Sequence, residues 1–177
     1  FAPALQQTMG MPVEVFDDYH EKRKKLDRWY IEPDGSLAAN MGDIDFEVVG
    51  PPMPADQAMV ALGKFYQLAA QWKLYTSAEN NTGLHINVSI PQDIDILKLA
   101  VFAGDQYVLQ QFGRSNNEWA KSVERDVARD AQRQEYKVNT KTGRAALERI
   151  AQSYSREHKA SINFNGQYVS FRQAGGD

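Results

Sequence analysis

The sequence predicts an α+β fold, in which an antiparallel sheet has helices packed on one face and an open polar face on the other. Segments 43–49, 84–88 and 167–172 alternate apolar and polar residues, which is typical of strands with one buried face. Segments 54–72 and 93–112 carry apolar residues at the spacing of an amphipathic helix. We therefore expect these helices to cover the apolar side of the sheet.

The remaining elements are assigned from local signals. They are a short helix over residues 1–8 that breaks at Gly10, an extended segment over 13–16, a strand over 29–32 entering the turn 33–36, a charged segment over 116–134, a helix over 142–154 and a hairpin over 160–172. The hairpin has Asn165-Gly166 at its centre, a pair that favours two-residue turns. The charged segment has only Trp119, Val123 and Val127 as an apolar stripe. We therefore expect a surface helix or a partly ordered excursion that is mobile or faces solvent.

Four large apolar residues of the two long helices are predicted to be buried. Leu62 and Phe65 lie on the stripe of the helix that starts at Pro54, and Leu97 and Phe112 on that of the helix that starts near residue 93. Only Gly104 interrupts the second stripe, so we expect one continuous helix there.

Composition limits the function classes. The chain has 177 residues, of which 42% are hydrophobic and 24% charged, which is enough for one core and predicts a single domain over 1–177. The net charge of -3 argues against a nucleic-acid partner. The absence of cysteine excludes disulfides and thiolate metal sites. No apolar run approaches the ~20 residues of a membrane span. We therefore expect a cytoplasmic protein without a membrane partner.

Polar side chains recur on the open face of the predicted sheet. Asp45 and Glu47 lie on one strand, His85 and Asn87 on the next, and Arg172 on the last. One interpretation is a solvated sheet surface. The other is a site for a divalent cation and a phosphate, because hard cations take oxygen ligands and arginine binds phosphate with two parallel hydrogen bonds.

Several short motifs occur in an order that resembles a known family. They are Trp29 with Asp34-Gly35-Ser36, then FEVVGPP at 46–52, GLHINV at 83–88, FGR at 112–114 and YVSFR at 168–172. Together they resemble the putative amidoligases, which belong to the glutamine synthetase and glutamate cysteine ligase superfamily. The resemblance covers the chain from about Met11 onward and implies a glutamine synthetase-like catalytic domain.

The resemblance also implies an activity and residue roles. The activity is an ATP-dependent carboxylate-amine ligase that uses Mg²⁺ and forms an amide through an acyl phosphate, with small-molecule, peptide or protein carboxylates and amines as substrates. The roles it implies are metal binding by Glu47 and His85, cofactor binding by His85, Asn87 and Arg172, catalysis by Arg172, Arg114 and His85, and substrate binding by Asp34 and Ser36.

The chain departs from the family pattern at Asn87, where a second histidine is usual, and at Ser170, where a glutamate is usual. The family's first, acidic strand would lie upstream of Phe1, and we expect the fold to be truncated at one or both ends. An alternative is therefore a non-catalytic binding or assembly module that descends from the same fold. Neither alternative specifies the oligomeric state.

Overall fold

The structure is a computed structural model that describes residues 1–18, 25–35, 37, 44–75, 82–90, 94–134 and 140–175. It is a mixed α+β structure that divides into two compact units, Phe1–Tyr75 and Thr76–Asp177. The predicted single-domain organisation stays a prediction, because compact units can belong to one domain. Within the described ranges, no helix is both long enough and apolar enough to cross a bilayer.

The first unit places two helices against one face of a small sheet. Its elements are α1 (Ala2–Met9), β1 (Val13–Val15), β2 (Trp29–Glu32), β3 (Glu47–Val49) and α2 (Ala55–Gln71). The strand order is β1-β2-β3, with β1 parallel and β3 antiparallel to β2. Alternation along β2 turns Trp29 and Ile31 towards a core that includes Leu5 of α1 and Leu68 of α2. Tyr30 and Glu32 therefore lie on the other face.

The second unit packs helices against one face of a small antiparallel sheet, whereas the polar face is not open throughout as predicted, since Ser170 is 3% exposed. Its elements are β4 (Ile86–Ser89), α3 (Ile96–Phe102), α4 (Asp105–Gln111), α5 (Val123–Arg133), α6 (Lys141–Ser155), β5 (Ile162–Phe164) and β6 (Tyr168–Phe171). The sheet order is β4-β6-β5 and both pairings are antiparallel. Val169 and Ile162 pack with α3, α5 and α6 through Ala100, Val127 and Ala151.

The predicted hairpin is confirmed, but its two central residues are Gly166 and Gln167 rather than Asn165 and Gly166. The Asn165 N–H donates to the Tyr168 carbonyl at 3.0 Å, and Gly166 has a φ of 79°, which costs a glycine little and other residues more. This turn sets the register that pairs Ile162 with Phe171.

The prediction of one sheet is wrong for the residues that the structure describes, because their strands form two three-stranded sheets. Two strands are also shorter than expected. The structure starts β3 at Glu47 and leaves Ile44 84% exposed, and it starts β4 at Ile86. Ile86 and Val88 share the apolar face with Val169 yet are 46% and 45% exposed, because β4 is an edge strand and the helices pack mainly on β5 and β6.

The four residues predicted to be buried are each only partly buried. The fully buried positions are instead Leu68 on α2, Ile96 on α3 and Leu109 on α4. The second long helix is in fact two, because Gly104 has a φ of 58° and starts α4 in a new direction. Because α3 and α4 are separate helices, apolar residues before and after Gly104 need not lie on one face.

Of the two forms expected for the charged segment, the structure has the surface helix. Residues 123–133 form α5, whose Val123 and Val127 are 1% and 5% exposed. The Ser122 hydroxyl caps this helix by accepting the Arg125 N–H at 3.0 Å. Two apolar residues four apart are enough to anchor a helix that is otherwise charged.

Candidate anion site and acidic pair

Arg114 is the most deeply buried cation in the described ranges, with 2% of its surface exposed. It follows α4, where its own N–H donates to the Leu109 carbonyl at 2.7 Å. Its Nη1 donates to the carbonyl of Thr82 and, at 3.5 Å, to that of Gly175. Arg114 therefore joins the segment before β4 to the segment after β6.

The guanidinium of Arg114 has no acidic partner in the part of the chain that the structure describes. Its buried Nε also lacks an acceptor there. Burial lowers the pKa of Arg114, since desolvation disfavours the charged form. An arginine nevertheless keeps its proton at neutral pH. The site is thus a buried positive charge with unused donor capacity.

Two glycines allow this arrangement. A Cβ at Gly83 would lie 2.7 Å from Nη1 of Arg114, closer than real Cβ contacts come. Gly175 has a φ of 98°, and a Cβ there would lie 2.7 Å from the Leu84 nitrogen. The Leu84 N–H donates to the Ala174 carbonyl at 3.0 Å. Close packing against the Arg114 side chain therefore requires Gly83, and close approach to the backbone of Gly83 and Leu84 requires Gly175.

His85 and Arg172 lie at the same end of this sheet, since they adjoin the paired residues Ile86 and Phe171. His85 is exposed. Arg172 is partly buried, and its Nη1 donates to the His158 carbonyl at 2.7 Å. The side chain of Arg172 therefore also holds the turn that follows α6.

Asn87 and Ser170 occupy the polar face of the same sheet. Ser170 is directly opposite Asn87 on one side and Asn163 on the other. Asn87 is exposed, whereas Ser170 is 3% exposed. The centre of this face is therefore buried at Ser170, whereas its β4 edge is exposed to solvent at Asn87.

The first unit contains a pair of carboxylates that the sequence analysis did not single out. Glu32 lies directly opposite Glu47 across β2 and β3, and Glu32 is 1% exposed. Opposed residues in antiparallel strands have Cβ atoms about 4.5–5.5 Å apart, so these carboxylates are neighbours. The sequence signal for Glu32 was the alternation in the segment 29–32, which places Tyr30 and Glu32 on the face opposite Trp29 and Ile31.

The other predicted site residues are spread over the molecule. Asp34 is partly buried, and its carbonyl accepts the Leu37 N–H at 3.1 Å, as in a turn. Ser36 lies outside the described residues. Glu47 belongs to the first unit, whereas His85 and Arg172 belong to the second. The convergence of these three residues stays a prediction.

A site for Mg²⁺ requires oxygen ligands. Within them, no group of three or more histidine or acidic side chains could hold a metal ion. Mg²⁺ usually needs only one or two carboxylates together with phosphate and water oxygens. Glu32 and Glu47 supply that number, so the pair fits a magnesium ion bound together with a phosphate ligand.

Comparisons with protein-family models, curated proteins and solved structures find no match to this chain.

Proposed function

We propose that this chain is an ATP-dependent carboxylate-amine ligase domain. The observation that carries the proposal is the buried guanidinium of Arg114, which has no acidic partner among the described residues. A buried cation is costly unless an anion is nearby. A phosphate or carboxylate group of a ligand would provide that anion, and an arginine can bind either through two parallel N–H donors.

Three motifs of the resemblance meet around this arginine, which supports the proposal. Arg114 contacts the GLHINV motif next to Gly83, and β4 of that motif pairs with β6 of the YVSFR motif. Residues that are far apart in sequence therefore form one local structure with His85 and Arg172 at its end. This is the grouping that a phosphate-binding site requires.

The proposed reaction has two steps. A substrate carboxylate oxygen attacks the γ-phosphorus of ATP, ADP leaves, and an acyl phosphate forms. The amine then attacks the acyl carbon, inorganic phosphate leaves, and the nitrogen loses a proton to give the amide. Negative charge builds up on phosphoryl oxygens in the first step, and fixed guanidinium groups stabilise it.

In this proposal Arg114 acts on an anionic oxygen through its positive charge and its Nη2, since Nη1 is engaged by backbone carbonyls and Nε is enclosed by the protein. Within the first unit, Glu32 and Glu47 are the residues that would hold Mg²⁺. Arg172 and His85 are proposed phosphate contacts at the sheet end, and Asn87 is a proposed contact at the exposed edge.

Isothermal titration with the non-hydrolysable analogue AMP-PNP, with and without Mg²⁺, tests the proposal. Arg114→Met is expected to weaken binding about 10–100-fold, the value of a hydrogen bond to a charged group. Arg114→Lys keeps the charge but loses the planar fork, and should recover only part of the affinity. Arg149→Met is the matched control, because Arg149 is exposed on α6.

Two results would contradict the proposal. One is the absence of saturable AMP-PNP binding at about 1 mM ligand by a folded protein. The other is equal affinity in the Arg114 and Arg149 variants. Thermal melts of every variant separate lost binding from lost folding, since Arg114 also holds Thr82 and Gly175.

The alternative, a non-catalytic module of the same fold, has one specific observation in its favour. Ser170 is 3% exposed and lies between Asn87 and Asn163, so the strand that would carry a family carboxylate is neutral and closed there. A chain that fails to bind nucleotide but melts cooperatively would favour this alternative.

A further inference from the structure

The hairpin between β5 and β6 contains the one Asn-Gly pair of the chain, Asn165-Gly166, which the proposed ligase function does not use. Both residues are exposed to solvent. A Cβ added to Gly166 would meet no atom within 4 Å, so the turn is also open on that side. Water and the Asn165 side chain can therefore both reach the peptide bond between the two residues.

The backbone nitrogen of Gly166 is available as a nucleophile. Its N–H makes no backbone hydrogen bond within the described ranges, because the bond that closes the turn runs from the Asn165 N–H to the Tyr168 carbonyl at 3.0 Å. Glycine also has no side chain to crowd this nitrogen. An amide nitrogen attacks after it has lost its proton, and hydroxide can remove the proton of an exposed N–H.

The side-chain amide carbon of Asn165 is the matching electrophile. This amide makes one hydrogen bond to the residues that the structure describes, from its Nδ2 to the Tyr168 hydroxyl at 2.8 Å, and that bond is exposed to solvent. Breaking one hydrogen bond slows a reaction by about threefold to tenfold. The contact with Tyr168 therefore slows a reaction of the amide without preventing it.

Asn163 of the same hairpin is held much more firmly. Its Nδ2 donates to the Ser155 carbonyl at 3.2 Å and to the Glu157 carbonyl at 2.9 Å, and the residue is partly buried. The residue that follows it is Phe164, whose side chain crowds the backbone nitrogen that would attack. Two hydrogen bonds and a bulky neighbour should make Asn163 react at least about tenfold more slowly than Asn165.

We propose that Asn165 is a site of spontaneous deamidation in the folded protein. The deprotonated Gly166 nitrogen forms a bond to the side-chain carbonyl carbon of Asn165. The bond from that carbon to Nδ2 breaks, and the leaving nitrogen takes a proton from water and departs as ammonia. The product is a cyclic succinimide. Water then opens the ring at one of its two carbonyls, which gives aspartate or isoaspartate.

Isoaspartate changes the turn, because it routes the main chain through the side-chain methylene of residue 165. The ring closed by the hydrogen bond from the Asn165 N–H to the Tyr168 carbonyl then contains an additional atom. This turn sets the pairing of Ile162 with Phe171, and Ile162 is 1% exposed. We therefore expect isoaspartate to lower the melting temperature by about 2–4 °C, the effect of losing one hydrogen bond.

Incubation of the folded protein at neutral and at mildly alkaline pH, followed by peptide mapping with mass spectrometry, tests the proposal. Deamidation replaces NH₂ by OH, and this mass gain should appear at Asn165 at least about tenfold faster than at Asn163. The rate should be higher at alkaline pH, because Gly166 attacks without its proton. A synthetic peptide of residues 160–172 gives the reference rate, and the folded protein should react within about tenfold of it.

Variants assign the reaction to the turn. Asn165→Gln keeps an amide but needs a larger ring for the same attack, so the mass gain and the fall in melting temperature should both disappear. Tyr168→Phe removes the hydrogen bond of the amide and should accelerate the reaction by up to about tenfold. Asn116→Gln is the matched control, because Asn116 is also exposed but is followed by Asn117. Thermal melts before incubation show that each variant is folded.

The proposal is overturned if Asn165 of the folded protein gains no mass during a period in which the peptide of residues 160–172 is fully converted. It is also overturned if Asn163 reacts as fast as Asn165, or if the rate is the same at both pH values. The incubation contains no nucleotide, so its outcome is independent of the AMP-PNP titration and of the ligase proposal.

Discussion

Asp105 is expected to be one of the most sensitive positions for the stability of the second unit. Its side chain is completely buried and accepts three hydrogen bonds, from the Ser122 hydroxyl at 2.9 Å, from the Val123 N–H at 2.6 Å and from the Ser161 hydroxyl. These donors come from the start of α5 and from the entry to β5. Asp105 therefore holds three separate segments together.

The magnitude follows from the donors that Asp105→Ala would leave behind. A buried donor without a partner costs about 1–3 kcal/mol. The Val123 N–H is fixed by the helix and cannot turn away, whereas the two serine hydroxyls can rotate towards other acceptors. We therefore expect a loss of about 3–5 kcal/mol in the free energy of unfolding, which is large compared with typical substitutions. Asp105→Asn keeps one carbonyl acceptor and should cost less.

Urea denaturation followed by far-UV circular dichroism measures this loss. Asp95→Ala is the matched control, because Asp95 is also an acidic residue that accepts a helix N–H, that of Lys98 at 3.0 Å, but its side chain is 30% exposed. Loss of such a cap costs about 1 kcal/mol. If Asp105→Ala costs no more than Asp95→Ala, the description of Asp105 as a buried junction is wrong.

Three further predictions follow from the described contacts. Gly83→Ala places a Cβ 2.7 Å from Nη1 of Arg114. We therefore expect calorimetry to show a loss of about 1–3 kcal/mol in the free energy of unfolding, together with weaker AMP-PNP binding. An unchanged melting temperature would show that the Arg114 side chain can move aside at little cost. Glu47→Gln should weaken Mg²⁺-dependent AMP-PNP binding about tenfold and leave Mg²⁺-independent binding unchanged, and equal titrations would exclude Glu47 as a metal ligand. The hydrogen bond from the Lys98 N–H lowers the pKa of Asp95, so its contribution to stability is present above the unfolded value of about 3.9 and is lost as pH falls through the folded value. Asp95→Asn should therefore reduce the fall in melting temperature below pH 4, and an identical acid profile would contradict this.

Elements with strong local signals were predicted well from the sequence. The strand 29–32, the helix after Pro54 and the Asn165-Gly166 hairpin each depend on a few adjacent residues, and the structure has all of them. Their signals are turn chemistry and short-range periodicity, which act before distant contacts form. Local information was sufficient there because the tertiary structure does not override it.

The number of sheets was not predictable in the same way. Strand partners depend on contacts between distant residues, and alternation alone shows which face is apolar without showing which strand is the neighbour. The segment 84–88 illustrates this, because its apolar residues Ile86 and Val88 lie on an edge strand and stay half exposed. Glu32 was missed for a related reason. One acidic residue on a strand does not predict a metal site, and its pairing with Glu47 depends on the strand register.

The charged segment shows a different limit of sequence reasoning. Its composition predicts a surface helix or a partly ordered excursion, and the structure adds that Ser122 and Val123 are almost completely buried at the start of the helix. The decisive interaction is the carboxylate of Asp105, seventeen or eighteen residues earlier in the chain. Composition describes the mean polarity of the segment, whereas the contact of Asp105 with Ser122 and Val123 determines where the start of the helix packs.

The role of Arg114 can be separated from simple packing by its chemistry. A purely structural arginine in a core is expected to have a carboxylate beside it, because an unpaired buried charge is costly. In the described ranges Arg114 has only backbone carbonyls on Nη1, which satisfy hydrogen bonds but do not cancel the charge. Arg114→Met removes the charge and keeps much of the side-chain length. If packing alone explains this residue, the variant should have an unchanged or higher free energy of unfolding and should bind AMP-PNP as before. If anion binding explains it, the same variant should melt at a similar or higher temperature in buffer and lose the stabilisation that AMP-PNP gives to the unmodified protein.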